Sequence, residues 1–361
     1  MAVPEIAEKT FWQLEVCNAC RYCEGYCAVF PALEKRRRFT PADVVYLANL
    51  CHDCRACFYA CMYAPPHEFG VNIPRALAEV RERTYAEYAL PRVASDLARR
   101  HVWVLTIVSL LSLALFGLIA VPHGLFERRS GPGAFYAVVP YLAMMLPALA
   151  LSVYAVAVML AGAFAFARDI GGARITFADV RAGLVAAGEA LALRYLRGGT
   201  AGGCYYPSER TSNSRLVLHM LVFYGFVSAF FATIAAAVLQ DFFDQLPPYP
   251  ILSVPVVFGS AGGVGMIVGA TGLLYLKWRS DVAPADARTL KLDWLFLVSL
   301  DVVSLTGMLL LVLRDTPVMG LLLVIHLATV LALFVSAPYG KFAHFVYRCA
   351  ALVQNRLESK G

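Results

Sequence analysis

The sequence predicts an all-α protein, a small soluble head followed by a polytopic bundle of six membrane spans. Three observations carry this reading. Of 361 residues, 60% are hydrophobic and only 16% charged, against about 45–50% and ~25% in an ordinary soluble domain. The apolar residues concentrate after residue 101, in runs of about 20 or more, long enough to cross a bilayer. Eight of the ten cysteines lie between residues 17 and 61. Together these exclude a soluble enzyme, a disordered chain and a collagen-like fibre. The expected organisation is a head over 1–100, a membrane domain over 101–350 and a tail over 351–361.

In the head, Thr40 followed by Pro41 reads as an N-cap and first helical position. Val44, Val45, Leu47 and Leu50 then follow at helical spacing. Ile73, Leu77 and Val80 mark a second amphipathic helix. No stretch alternates as a strand would. The spans are expected near 102–122, 135–166, 215–239, 253–278, 292–313 and 318–338, with Pro140 and Pro147 marking kinks or an interfacial approach in the overlong second one. GGVG at 262–265 and GATG at 269–272 lie inside a span, where small residues allow close helix packing.

Orientation follows from the basic residues. With six crossings, the three loops on the side away from the head hold only Arg128, Arg129 and Arg314, which leaves 28 of the 31 Lys and Arg on the head's side. The N-terminus carries no apolar core of a signal peptide. The head and both termini are therefore expected in the cytoplasm, in a multi-pass protein of the inner (cytoplasmic) membrane. The net charge of +6 does not alternate with aromatics, so no nucleic-acid partner is expected. Lys35–Arg38 is the one tight basic run, a solvated loop or a docking patch.

The cysteines form two runs, Cys17-x2-Cys20-x2-Cys23-x3-Cys27 and Cys51-x2-Cys54-x2-Cys57-x3-Cys61. Three thiolates on a tight turn reach three corners of one [4Fe–4S] cube, and the fourth cysteine ligates the other cluster. The expected sets are Cys17, Cys20 and Cys23 with Cys61, and Cys51, Cys54 and Cys57 with Cys27. Structural zinc, the competing reading, favours two separated CxxC pairs per ion. Ala28 and Met62 stand where the bacterial ferredoxin run has proline. On these runs and the trailing VNIPRALAEVR, the head resembles the α-helical ferredoxins, as found in the iron–sulfur subunits of succinate dehydrogenase and of heterodisulfide reductase. The resemblance implies a relay of single electrons.

Five histidines lie in or beside spans: His101, His123, His219, His326 and His344. Beside iron–sulfur clusters they suggest b-type haem held between helices. His219 and His344 both fall near the inner face and are the expected ligand pair. His326 precedes His344 by 18 residues; a continuous helix would put both on one face, about 27 Å apart, though Pro338 intervenes. This arrangement resembles the gamma subunit of respiratory nitrate reductase, including the phrase SAPYGKFAHF. A second haem would need a partner for His326 ten residues beyond His219, where Ala229 stands, so one haem is expected. His101 and His123 read as interfacial residues. Asp301, at mid-depth in the fifth span, is expected to contact His326 and satisfy both groups.

Over nearly its full length the chain is similar to the tricarballylate/citrate utilisation protein B family, through the paired cysteine runs, VNIPRALAEVR, six spans and the APYGKFAH ending. That resemblance implies a membrane electron-transfer protein that reoxidises an FAD-dependent dehydrogenase and passes electrons to membrane quinone. The sequence holds no flavin or nicotinamide fingerprint and no hydrolytic triad, so a partner must do the bond chemistry. The alternatives are a haem-free, cluster-bearing anchor of another redox complex, a flavin-reducing module serving cobalamin biosynthesis, and an uptake protein for citrate-like acids.

Overall fold

The computed structural model describes residues 3–92, 101–171, 177–198 and 202–359. The expected boundary at residue 100 lies outside them. The head is built from α1 (Val3–Cys20), α2 (Val29–Glu34), α3 (Pro41–Leu50), α4 (Ala56–Tyr59) and α5 (Ile73–Glu87). Thr40 caps α3 as its sequence predicts. Its hydroxyl accepts from the Asp43 amide at 3.3 Å, and the Asp43 carboxylate accepts from the Thr40 amide at 2.9 Å, which satisfies two otherwise orphaned donors. The Asn72 side chain caps α5 by accepting from the Arg75 amide at 3.2 Å.

Among the described residues, six helices are long and apolar enough to cross a membrane: α6 (His101–Ala120) with its 3-10 extension to His123, α7 (Tyr141–Gly171), α9 (Ser214–Phe243), α10 (Val254–Trp278), α11 (Ala287–Val312) and α12 (Met319–Ser336) with its extension to Tyr339. The chain is a multi-pass membrane protein, and the outward faces of these helices expose residues such as Leu118, Leu160 and Val257, as lipid contact requires. Between α7 and α9 the chain forms α8 (Phe177–Leu191) and a small antiparallel hairpin, in which Cys204 pairs with Ser212 and Tyr205 with Thr211.

Glycines set the closest helix pair. A Cβ on Gly262 of α10 would lie 2.6 Å from the Gly225 carbonyl oxygen of α9, and one on Gly269 would lie 2.7 Å from that of Leu218. Only a missing side chain permits this approach.

The sixth span does not run on as one helix. Pro338 cannot donate to a helical ladder; α12 ends at Ser336, two 3-10 turns follow, and α13 (His344–Glu358) starts afresh. The continuous-helix relation between His326 and His344 therefore does not hold. Helix α13 folds back against the head. Tyr347, Ala351 and Leu352 are buried in one core with Leu14, Leu33, Tyr46, Leu50 and Leu77 of the head and with Phe166 of the second span. Arg36 ties the head to its end, 2.7 Å from Glu358 and 2.5 Å from Asp43. Half of the basic run's side chains thus serve structure: Lys35 also donates to the Glu358 carbonyl, while Arg37 and Arg38 stay exposed.

Candidate functional site

The two cysteine loops share one local geometry. Arg21 and Arg55, each the residue after the second cysteine of its run, adopt left-handed φ values of 55° and 65°. A non-glycine residue there costs about 1–2 kcal/mol, and its repetition at equivalent positions gives both loops the same tight turn. Helix α3 ends on Cys51, and the Cys54 carbonyl accepts from the Tyr205 amide of the hairpin at 3.0 Å.

The thiols gather in crossed sets. Cys61, Cys23 and Cys20 act electrostatically on Cys17, and Cys54 and Cys51 on Cys27, while Cys57 feels Cys27 and both of its own run as well as Cys23. Burial and then neighbouring thiols push Cys17 up to about 12 and Cys23 up to about 11. Cys54 rises to about 12, chiefly by burial. Crowded, buried thiols of this kind become stable thiolates when cationic iron sits among them. Among the described residues, no three His, Cys, Asp or Glu side chains converge as they would around a single metal ion. A pocket walled by Cys17, Cys20, Cys23, Cys57 and Cys61, with apolar Val16, Phe30 and Ile73, encloses the first set. Donor chemistry and pocket both suit an iron–sulfur cluster.

The second set faces the membrane bundle. Cys54 and Ala56 share a buried core with Val222 of the third span, Leu273 of the fourth, Leu297 and Leu300 of the fifth, and Leu333 of the sixth. Arginines surround it. Arg81 and Arg348 both donate to the Cys51 carbonyl, at 2.8 and 2.6 Å, and Arg215 donates to that of Asp53 at 2.5 Å. Arg55 stacks over Tyr206, 4.4 Å from its centroid. His52 lies among them, its Nδ1 2.8 Å from the Leu50 carbonyl. Burial, then Arg348, Arg215 and Arg81, push its imidazole well below the ordinary value.

Below this set, His219 on α9 and His344 at the start of α13 approach with ring centroids 6.3 Å apart and planes at 81°. One metal ion fits between two such rings, with metal–nitrogen bonds of about 2 Å. His344 Nδ1 lies 2.6 Å from the Lys341 carbonyl, which leaves Nε2 as its free nitrogen. Burial, then Lys341 and Arg348, hold His344 well below its ordinary value, in the neutral form that ligates metals. His219 Nδ1 is buried without a partner. These residues fit bis-histidine haem. Beside them Asp293 bridges Lys277 at 2.5 Å and Lys341 at 2.7 Å. Burial pushes the Lys341 ammonium down to about 8 although Asp293 opposes it.

His326 is not brought to this pair. Its Nδ1 lies 3.1 Å from the Thr306 hydroxyl, and its ring abuts Gly307 of the fifth span. The expected Asp301–His326 contact is a correction. Asp301 accepts instead from Thr271 of the fourth span at 2.9 Å, because its position on α11 turns it toward α10, and its other oxygen is buried without a partner. His123 lies at the far end, 2.7 Å from the Ile119 carbonyl. The side chain of His101 lies outside the described residues.

The sequence reading missed the arginines around the second set, although Arg81 ends the VNIPRALAEVR stretch and Arg348 follows His344 by one helical turn. A charged residue at i+4 from a candidate ligand was the available signal.

The model of the citrate utilization protein B Fer4-like domain matches residues 10–87, and that of citrate utilization protein B matches residues 96–361. Citrate utilization protein B of Escherichia coli is 43% identical over 348 residues, which cover 96% of this chain and 91% of the relative. The chain belongs to the citrate utilization protein B family. No solved structure matches it. For this family member the Fer4-like match spans both cysteine runs, the second half of α1 and α2 to α5, so the head is a ferredoxin-type module joined to a membrane bundle, an arrangement consistent with electron transfer.

Proposed function

We propose that the chain is the membrane electron-transfer subunit of an oxidoreductase that serves the use of citrate-like acids. It takes electrons from the reduced flavin of an FAD-dependent, tricarballylate dehydrogenase-like partner and delivers them to membrane quinone. Cys17, Cys20, Cys23 and Cys61 would hold one [4Fe–4S] cluster, and Cys51, Cys54, Cys57 and Cys27 the other. His219 and His344 would hold one b-type haem. These groups supply one-electron chemistry when bound. The chain's own residues set their order. The first thiol set opens to the surface, with Cys20 exposed, while the second packs against the span bundle beside the histidine pair.

The observation that carries this reading is the approach of His219 and His344 at 6.3 Å beneath the second set. The head faces the cytoplasm in this reading, with both termini on that side and the six spans in the inner membrane. His326, held by Thr306 in the interior of the bundle, belongs to the quinone side of the path.

The test is the reduced-minus-oxidised optical spectrum of the anaerobically purified protein. A sharp b-type α-band is expected, lost in His219→Ala and in His344→Ala. Broad iron–sulfur bleaching with no α-band in the wild type would overturn the haem half and leave a cluster-bearing relay or anchor.

A further inference from the structure

Arg348 stands where the two inner sites meet. It follows His344 by four residues on α13, so both side chains lie on one helix face. Its Nη2 donates to the carbonyl of Cys51 at 2.6 Å, and its Nε is buried without a partner. Among the described residues no carboxylate pairs with it in an ion pair. Burial and the nearby Arg81 lower its guanidinium to about 10, which is still charged at neutral pH. Its charge acts on His344, on His219 and on His52 of the second cysteine loop. Arg215, four residues before His219 on α9, also reaches both sides, donating to the Asp53 carbonyl at 2.5 Å and acting on His219, whereas Arg81 and Lys341 reach one side each. Arg81, on α5, holds the same Cys51 carbonyl at 2.8 Å and is not among the charges acting most on either histidine. Lys341 lies beside His344, and its side chain is paired with Asp293 at 2.7 Å.

A buried cation without a counter-charge is costly. An electron arriving at either side supplies negative charge, and a weakly screened guanidinium favours it. We propose that Arg348 is a positioning residue that couples the two inner redox sites, raising the reduction potentials of the Cys51 cluster and of the His219–His344 haem together. The transfer balances as one electron lost by the cluster and one gained by the haem iron, with no bond made or broken. This inference rests on the electron path proposed above.

The experiment is a pair of anaerobic redox titrations on the full chain in lipid nanodiscs. The haem is followed by its α-band, and the inner cluster by the electron paramagnetic resonance signal that Cys54→Ser abolishes. Arg348→Gln is expected to lower both one-electron reduction constants at least tenfold, about 59 mV each. Arg81→Gln is expected to lower only the cluster's, and Lys341→Gln only the haem's. A shift at one centre alone in Arg348→Gln, or at neither, overturns the proposal. If Arg348→Gln loses a cofactor, Arg348→Lys decides. It keeps the charge and forfeits the reach to Cys51, so the haem potential should hold and the cluster potential fall; both unchanged, or both lowered, overturns the coupling. The wild-type spectra separate this from the parent reading, since a wild type without an α-band sinks the path itself and this inference with it.

Discussion

The two cysteine runs have the same spacing and the same left-handed arginine after the second cysteine, yet they live in opposite surroundings. In the first, Cys20 is exposed, and Tyr22 and Met62 nearby are 59% and 60% exposed. In the second, Cys51 and Cys54 are each 8% exposed, ringed by arginines and packed on the membrane bundle. Even the matching arginines differ. Arg21 is exposed and donates to the nearby Asn18 carbonyl, whereas Arg55 is buried and reaches the Asp281 carbonyl at 3.0 Å. The motif sets which metal chemistry is possible, and in the proposed path the surroundings set which side each copy would serve. The outer set suits electron entry from a soluble partner, and the inner set suits delivery into the membrane.

The largest expected effect breaks this asymmetry directly. In the proposed path, Cys54→Ser should abolish haem reduction by the flavoprotein, and should lower the melting temperature because its site is buried. Cys20→Ser should stop reduction by the flavoprotein while leaving the haem spectrum and melting temperature near wild type. Stopped-flow absorbance and thermal unfolding measure both, and equal effects of the two substitutions would remove the distinction between entry and exit.

A smaller effect is expected from Gly262→Leu. Its side chain would collide with the Gly225 carbonyl and Ala229 backbone, and overpacking of this kind costs about 1–3 kcal/mol. Because α9 carries both His219 and Val222, the inner cluster signal and the α-band should broaden while the outer cluster signal stays unchanged.

The smallest effect concerns α3, which delivers Cys51. Thr40→Ala should cost about 1 kcal/mol, seen as a lower melting temperature of the full chain. Burial works against the Asp43 carboxylate, but hydrogen bonds from Thr40 and Arg36 outweigh it and hold its pKa below the ordinary 3.8. A depressed carboxylate stabilises the fold above its unfolded pKa and loses that contribution as pH falls through the folded value. The Thr40→Ala penalty should therefore be full at neutral pH and shrink below about pH 4, and a penalty independent of pH would show that the capping carboxylate contributes nothing.

Much of this architecture was legible in the sequence because its causes are local. Span length, the Thr40 cap and the glycine contact between the third and fourth spans each follow from residues within one or two elements. The cysteine spacing likewise announced the two thiol loops. What stayed hidden depends on long-range packing. Nothing local in α13 says that it turns back into the head, because Pro338 signals a break but not a direction. The Asp301 partner was misjudged for the same reason: depth along the membrane puts His326 within range, but rotation about the helix axis decides, and it selects Thr271. The arginine ring is assembled from α5, α9 and α13, so no single window of sequence contains it.

The return of α13 also orders the protein's birth. The head is synthesised first, yet Tyr347, Ala351 and Leu352 of its core leave the ribosome only after all six spans. At about 5–20 residues per second, the nascent head waits tens of seconds with its thiols set on an unfinished core. Iron delivered in that interval would meet loops not yet backed by their final helix. Completion of the second set, whose Cys51 carbonyl is held by Arg348 of α13, is thus tied to completion of membrane insertion, whereas the pocket of the first set is lined by head residues alone.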